Sequence, residues 1–299
     1  MAVLGDLVTQ QLVCQNARVT VNLAGQINWS AKSMDIRWTR LPMRFDRVLL
    51  RADLAEIGEF EWCMHFNSRD FEGEWSGVAL RSRSARVDDI LPAGRAKDFV
   101  DTPLMARCPN LRAVVEAFSL PLKSVRLLRL HAGSQVKEHR DSDLGLAEGE
   151  VRIHVPIVTN ERVEFIVGGR QLRLCEGDAW YIDFSQPHRI DNMGTEHRVH
   201  LILDGELDAW ARKMLEDASR EIVTESFEPE GLAEFRRFQR VVFDDVNLRN
   251  FLVTFRDSTQ LLDAAVAAGR ERGFDFRRAD AESILTRNRQ EWMMRSATL

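Results

Sequence analysis

The sequence predicts a mainly β protein with added helices: a sandwich or jelly roll, followed by a separate α-helical layer. Three observations lead there. Between Val125 and Asp204 the chain passes through short apolar-rich segments separated by turns containing Gly or Pro, the spacing of an antiparallel roll. No helical stretch interrupts that array, so the crossovers a parallel sheet requires are missing. Beyond Gly205 the apolar period changes from that of a strand to that of a helix.

The elements follow in order. Val19 to Leu23 suits a short strand, while residues 22–32 are small and polar; an added edge strand, a loosely ordered arm and a misassigned start all stay open for residues 1–40. Phe45 to Leu54 has helical spacing, with Val48, Leu49 and Ala52 on one side. Trp62–Phe66 and Trp75–Arg81 read as strands, and Pro92–Pro109 as a turn-rich connection. Leu111–Phe118 suits a short helix that stops before Pro121.

The strand array is Val125–His131, Val136–Asp141, Val151–Ile157, Arg162–Val167, Gln171–Leu174, Ala179–Phe184, His188–Asp191 and His197–Asp204. Among its turns are Ala132-Gly133-Ser134, Gly168-Gly169 and Glu176-Gly177-Asp178. In the last third, Leu207, Trp210, Met214 and Ala218 share one helical face, as do Phe235, Phe238 and Val242. Further helices are expected near Val246–Phe255, Gln260–Glu271 and Asp280–Trp292, with Ser258 as an N-cap and Gly273 as the C′ residue. The expected organisation is an extension (1–40), a β domain (41–205) and a C-terminal helical domain (206–299), with the second boundary within 205–228.

Composition narrows the function. With 299 residues, 44% hydrophobic and 29% charged, the chain has the makeup of an ordinary globular protein. Its net charge of −5 gives no overall positive field for nucleic acid or anionic lipid. Arg236-Arg237 and Arg277-Arg278 read as solvated faces or turns. Cys14, Cys63, Cys108 and Cys175 are scattered, form no C-x-x-C pair and suit a reducing compartment. No basic-then-apolar leader and no run of about 18 apolar residues is present, so no membrane partner and a cytoplasmic location are expected. Walker A, G-x-G-x-x-G and H-E-x-x-H patterns are absent. The residues do not choose between a monomer and a homo-oligomer.

Four positions carry the chemistry. His139 and Asp141, two apart, lie on one face of an extended strand, and His188 opens a later strand of the same array. Two imidazoles and one carboxylate on one face of an octahedron are the ligand set of non-haem Fe(II) oxygenases. With seven His and 46 acidic residues, chance alone produces about one H-x-D/E triplet, so the strand context decides more than the triplet does. Arg198 lies ten residues beyond His188, sharing a strand face with His200 and Ile202; Arg152 and His154 repeat the alternation. A guanidinium facing a barrel interior needs an anion, because an unpaired buried charge costs several kcal/mol, and a small dicarboxylate bound in bidentate fashion would serve.

With these residues in place, the chain resembles the 2-oxoglutarate-dependent oxygenases of the aspartyl/asparaginyl β-hydroxylase family, and within it the bacterial free-proline hydroxylases. The resemblance covers roughly residues 41–205. It includes Glu72 to Ser82, Arg152-Ile153-His154-Val155-Pro156, Glu176-Gly177-Asp178-Ala179-Trp180, Asp183 to His188 and Arg198 to Asp204. It implies a cupin-like double-stranded β-helix, Fe(II) held by His139, Asp141 and His188, and 2-oxoglutarate chelating the metal with its distal carboxylate on Arg198. Some animal members lack the carboxylate ligand; Asp141 places this chain with the complete set. Arg152 and His154 match positions that help hold the cosubstrate in aspartyl hydroxylases, and here could equally hold a substrate carboxylate. In the last third, Phe243–Phe251 and Ala267–Phe276 are similar to a nif-type leader-peptide-like helical domain, which would serve either as a docking surface for a peptide or carrier or as a helical cap.

The implied reaction, with O₂, hydroxylates a C–H bond of a small, proline-like amino acid and releases succinate and CO₂. A second reading is β-hydroxylation of an Asp or Asn residue in a peptide or carrier-bound substrate. A third, of another class, is a non-redox cupin-like protein that binds a metal or small molecule.

Overall fold

Alternating apolar side chains can be buried from both sides only if one sheet lies over another. The computed structural model describes residues 17–21, 27–31, 34–141, 143–221 and 226–286. The chain divides into two compact units, residues 1–36 and 37–299. The first is described as an antiparallel hairpin of β1 (Ala17–Val21) and β2 (Ile27–Ala31), with Val21 opposite Ile27. The Val19–Leu23 strand expectation thus holds as far as Val21, and Leu23 lies outside the described residues.

The second unit begins with β3 (Trp38–Arg44), helix α1 (Arg47–Ala55), β4 (Cys63–Met64), β5 (Phe71–Glu72), β6 (Trp75–Ser82) and β7 (Val100–Asp101). Helices α2 (Pro103–Arg107) and α3 (Pro109–Glu116) lead into β8 (Leu122–Leu130), β9 (Gln135–His139) and β10 (Glu150–Val158). Then come β11 (Val163–Val167), β12 (Arg170–Leu172), β13 (Asp178–Ile182), β14 (His188–Asn192) and β15 (Arg198–Glu206). After α4 (Ala209–Glu221), the short β16 (Ser226–Phe227) closes the strand list.

These strands make two antiparallel sheets. The larger runs β3-β13-β10-β15-β8-β6-β4, with β7 on β6; the smaller runs β16-β12-β11-β14-β9-β5. One apolar core joins them, with Trp75, Leu128, Leu130, Trp180 and Ile202 from the larger sheet against Val136, Phe165, Val167, Leu172 and Ile190 from the smaller. This is the double-stranded β-helix, or jelly roll, that the sequence predicted. Gly177 is obligatory in its turn: φ is +81°, and a Cβ there would lie 2.2 Å from the Phe45 carbonyl oxygen.

Four local expectations need correction. Helix α1 buries Leu50 and Asp53, while Val48 and Leu49 are 68% and 49% exposed. Asp53 is drawn inward because its carboxylate accepts from Leu111 N and Asn110 Nδ2 at the start of α3. The strand at Trp62–Phe66 shrinks to Cys63–Met64, since the His65 ring turns in to stack on Trp75 at 3.5 Å. Within the turn-rich Pro92–Pro109 stretch, Pro103 opens helix α2, a position where its missing N–H is harmless. Strand β9 stops at His139, so Asp141 lies just past it in the following loop.

Helices α5 (Glu230–Asp244), α6 (Val246–Leu252) and α7 (Ser258–Glu271) and a helical stretch at 278–286 form a second core around Phe235, Phe238, Leu262 and Phe276. Asp257, not Ser258, caps α7, because its carboxylate accepts from Gln260 N at 2.9 Å. Of the helix expected at Asp280–Trp292, residues 287–292 lie outside the described residues. Arg277 is not a solvated cation. It pairs with Glu164, Asp191 and Asp280, and Asp280 in turn pairs with the buried Arg189 on β14, so this ion cluster fastens the helices to the outer face of the smaller sheet. No helix among the described residues is long and apolar enough to cross a membrane.

Candidate metal centre

Register brings the two histidines together. His188, first residue of β14, is paired with His139, last residue of β9, and on antiparallel strands such partners point the same way. Their ring centroids are 4.3 Å apart. Beyond β9 the backbone is held by a bond from Asp141 N to the Phe184 carbonyl at 3.0 Å, which keeps Asp141 beside the pair. The outcome is one cluster in which His139, Asp141 and His188 each offer a ligand atom, all within 4.8 Å of one another.

The tautomers suit a metal. His139 Nδ1 lies 2.8 Å from the Lys137 carbonyl and His188 Nδ1 3.0 Å from that of Gln186. Each Nδ1–H therefore donates to the backbone, which leaves the Nε2 lone pairs free, and backing of this kind is what orients imidazole ligands. Burial favours neutral imidazole at His188 and lowers its pKa to about 4. At His139 burial also opposes the charged form, but in that form Nε2–H would donate to Asp141 as Nδ1–H does to the Lys137 carbonyl, and this raises the pKa. Burial opposes the Asp141 carboxylate too; its hydrogen bond with His139 and the nearby Arg152 charge outweigh that and hold it well below the usual carboxylate range.

A buried ionic chain lies behind Asp141. Arg152 Nη1 donates to Asp141 Oδ2 at 2.7 Å, and its Nε donates to Asp204 Oδ1 at 2.6 Å. Asp204, fully buried, also accepts from Arg126 Nη1, which donates in turn to Ser124 Oγ at 2.9 Å. Arg126 Nε has no partner. Asp141 Oδ2 is thereby occupied, and Oδ1 is left facing His139 Nε2 at 3.5 Å.

Arg198 is different. It is 1% exposed, lies with its guanidinium carbon 5.4 Å from the Phe165 ring centroid, and donates from Nη2 to His200 Nδ1 at 2.7 Å. Among the described residues it has no carboxylate partner, and its Nε is unbonded. Burial alone lowers its pKa to about 9. His154, also buried and neutral, stacks on Phe184 and has an unbonded Nε2.

One cavity of about 480 Å³ is shared by His139, Asp141, His188, Arg152, His154 and Arg198. Every residue singled out in the sequence thus borders one space. Sequence reasoning missed Arg126, Asp204 as a buried anion, His200 as the Arg198 partner, and His65, which also lines the cavity. The alternation along β8 puts Arg126 on the same face as Leu128 and Leu130, which was the available signal.

Comparison with known proteins identifies the family. The model of the Aspartyl/Asparaginyl beta-hydroxylase family matches residues 48–207. The L-proline cis-4-hydroxylase of Rhizobium meliloti is 24% identical over 185 residues, 61% of this chain and 65% of that protein, so the chain matches less than two thirds of its relative. Among solved structures, an oxidoreductase of the 2OG-Fe(II) oxygenase family from Burkholderia pseudomallei aligns with a TM-score of 0.41 at 14% identity, covering 59% of this chain and 88% of that one. HygX from Streptomyces hygroscopicus, with nickel and 2-oxoglutarate bound, aligns at 0.38 and 13% identity over 58% and 84%.

Proposed function

Because the chain belongs to the aspartyl/asparaginyl β-hydroxylase family, whose model spans residues 48–207, we propose that it is an Fe(II)- and 2-oxoglutarate-dependent oxygenase hydroxylating a small amino acid. The observation that carries this reading is the pairing, within one cavity, of an open three-ligand cluster and a buried arginine without a counter-anion among the described residues. A passive metal binder has no need of that arginine, whose burial is costly until an anion arrives.

The residues fit the cofactor set. His139 Nε2, His188 Nε2 and Asp141 Oδ1 would hold the metal as a facial triad. Bound Fe(II), 2-oxoglutarate and O₂ together supply the oxidising power to convert a C–H bond to C–OH, with succinate and CO₂ as co-products. The chain's own contribution is positional. Arg198 anchors the distal carboxylate, and neutral His154 offers its free Nε2 beside it. Arg152 orients Asp141 through a two-carboxylate bridge rather than reaching outward. Arg126, with Nε unbonded in the cavity wall, is then the residue to hold an amino-acid carboxylate. Trp75 and Leu128 supply apolar wall that keeps water away.

The test is a panel of free amino acids, proline included, with Fe(II), 2-oxoglutarate and air, read for succinate and for a product heavier by one oxygen atom. Arg126→Gln should raise the amino-acid KM and leave the 2-oxoglutarate KM unchanged. Turnover of Asp or Asn only within peptides would replace the free-amino-acid part of the reading. No succinate from either class would end the oxygenase reading.

A further inference from the structure

A second cavity, of about 760 Å³, lies beside the loop that follows β10, and its walls carry Arg44, Arg47, Arg51 and Arg173 against Glu161 and Glu176. In a chain of net charge −5 this is a local excess of cations. Arg51 is paired with Glu176, and Arg44 Nε lies 3.4 Å from Asp178. Arg173 is over the Phe227 ring at 5.1 Å. Among the described residues, neither Arg47 nor Arg173 has an ion pair to a carboxylate.

The excess alone would be a solvated face. What distinguishes it is His200, 1% exposed, which also borders this second cavity and does not border the first. The Arg198 Nη2–H donates to His200 Nδ1 at 2.7 Å, and a guanidinium can only donate. Nδ1 must therefore present its lone pair, and the ring proton sits on Nε2. That Nε2–H is buried and has no acceptor among the described residues. Burying such a donor unpaired is unfavourable, so an acceptor is expected to complete it. An oxygen anion satisfies both the orphaned N–H and the arginines, whereas a cation or an apolar ligand satisfies neither.

We propose that this cavity is a second, anion-binding site, taking a small organic anion through its carboxylate or phosphoryl oxygens, with His200 Nε2–H and the Arg47 and Arg173 guanidiniums as donors. His200 in the second cavity accepts from Arg198 in the first, so one imidazole links the two. An anion accepting from Nε2 makes Nδ1 a stronger acceptor and holds the Arg198 guanidinium more firmly, so occupancy of the second site tightens the first for 2-oxoglutarate. That consequence rests on the Arg198 assignment above; the site itself does not.

The experiment is calorimetric titration of the metal-free full chain with glutarate and, separately, with inorganic phosphate, which tells carboxylate from phosphoryl preference. Three proteins are compared: wild type, the Arg47→Gln/Arg173→Gln double variant, whose changes are on exposed side chains, and Arg198→Met. The expected result is a one-per-chain event in Arg198→Met, where the first cavity has lost its carboxylate anchor, whatever glutarate also binds there in the wild type, and a weakening of that same event at least tenfold in the double variant. Absence of any event in Arg198→Met, with binding by the double variant equal to that of the wild type, would place all the anion in the first cavity and overturn the proposal. Absence of binding by both anions at about 10 mM, a binding energy under roughly 3 kcal/mol, would overturn it as well. Since the titration contains neither metal nor 2-oxoglutarate, loss of oxygenase activity would leave it untouched, and the two readings fail separately.

Discussion

Replacing Arg198 with Met removes a cation while nearly conserving volume. Burial alone lowers its pKa to about 9, and at about 1.36 kcal/mol per unit below the ordinary arginine value this sets on the order of 5 kcal/mol as the upper limit for holding this charge unpaired. Against this, the variant forfeits the hydrogen bond to His200 Nδ1, worth about 1 kcal/mol. Some apolar packing on Phe165 is retained. The metal-free, ligand-free Arg198→Met protein is therefore expected to be more stable than wild type by about 1–3 kcal/mol, the range seen when buried ionic groups give way to apolar ones. In a chain of this size that raises Tm by roughly 2–10 °C. The wild type should regain the ground when 2-oxoglutarate and a redox-inert divalent metal are added, since a ligand at about 100 times its Kd contributes about 2.7 kcal/mol. The variant should gain almost nothing. Differential scanning calorimetry of both proteins, with and without ligands, makes the comparison. An Arg198→Met protein several kcal/mol less stable than wild type, and still shifted by 2-oxoglutarate to the same extent, would refute the argument that this charge is uncompensated and awaits a carboxylate.

The other expectations are simpler. His139→Ala, Asp141→Ala or His188→Ala should lower bound iron, read by elemental analysis of protein loaded anaerobically, at least a hundredfold and abolish substrate-coupled succinate release; retained stoichiometric iron in any of them would remove that residue from the ligand set. Asp204→Asn leaves Arg126 and Arg152 with only Asp141 as a carboxylate partner, so urea unfolding should show a loss of about 3–5 kcal/mol, and metal affinity should fall about 10–100-fold through the misoriented Asp141. His65 has its pKa lowered to about 3 by burial first and by the Arg126 and Arg152 charges next. The unfolded chain then binds the proton more readily than the folded one, so His65 withdraws stability as pH falls from about 6.5 toward 3. His65→Phe, which keeps the stack on Trp75, should flatten this acid limb by up to about 5 kcal/mol in urea unfolding free energies, and an unchanged limb would show that His65 does not carry it.

Much of the architecture was legible because it depends on periodicity. The alternation and turn residues from Val125 to Asp204 anticipated the two-sheet roll, and the register that unites His139 with His188 needed only the assumption that both lie on its inner face. Where a polar residue was recruited inward, pattern reading failed. Asp53 displaced Val48 and Leu49 from the buried side of α1 because it caps α3, a partner 58 residues away. Arg277 read as solvated because its three carboxylate partners come from β11, β14 and its own turn.

By itself the sequence singled out the candidate ligand types and the alternation that sets Arg198 on one strand face with His200, since these follow from residue chemistry and a period of two, whereas the loop position of Asp141 did not. Only the tertiary structure decided which charges are spent and which are free. Arg152 is held between Asp204 and Asp141, Arg126 shares Asp204 through Nη1 and keeps Nε unbonded, and Arg198 meets a neutral imidazole and, among the described residues, no anion. That difference is set by distances of a few ångströms between strands remote in the chain, and electrostatic energy in a dry interior depends on those distances rather than on sequence spacing.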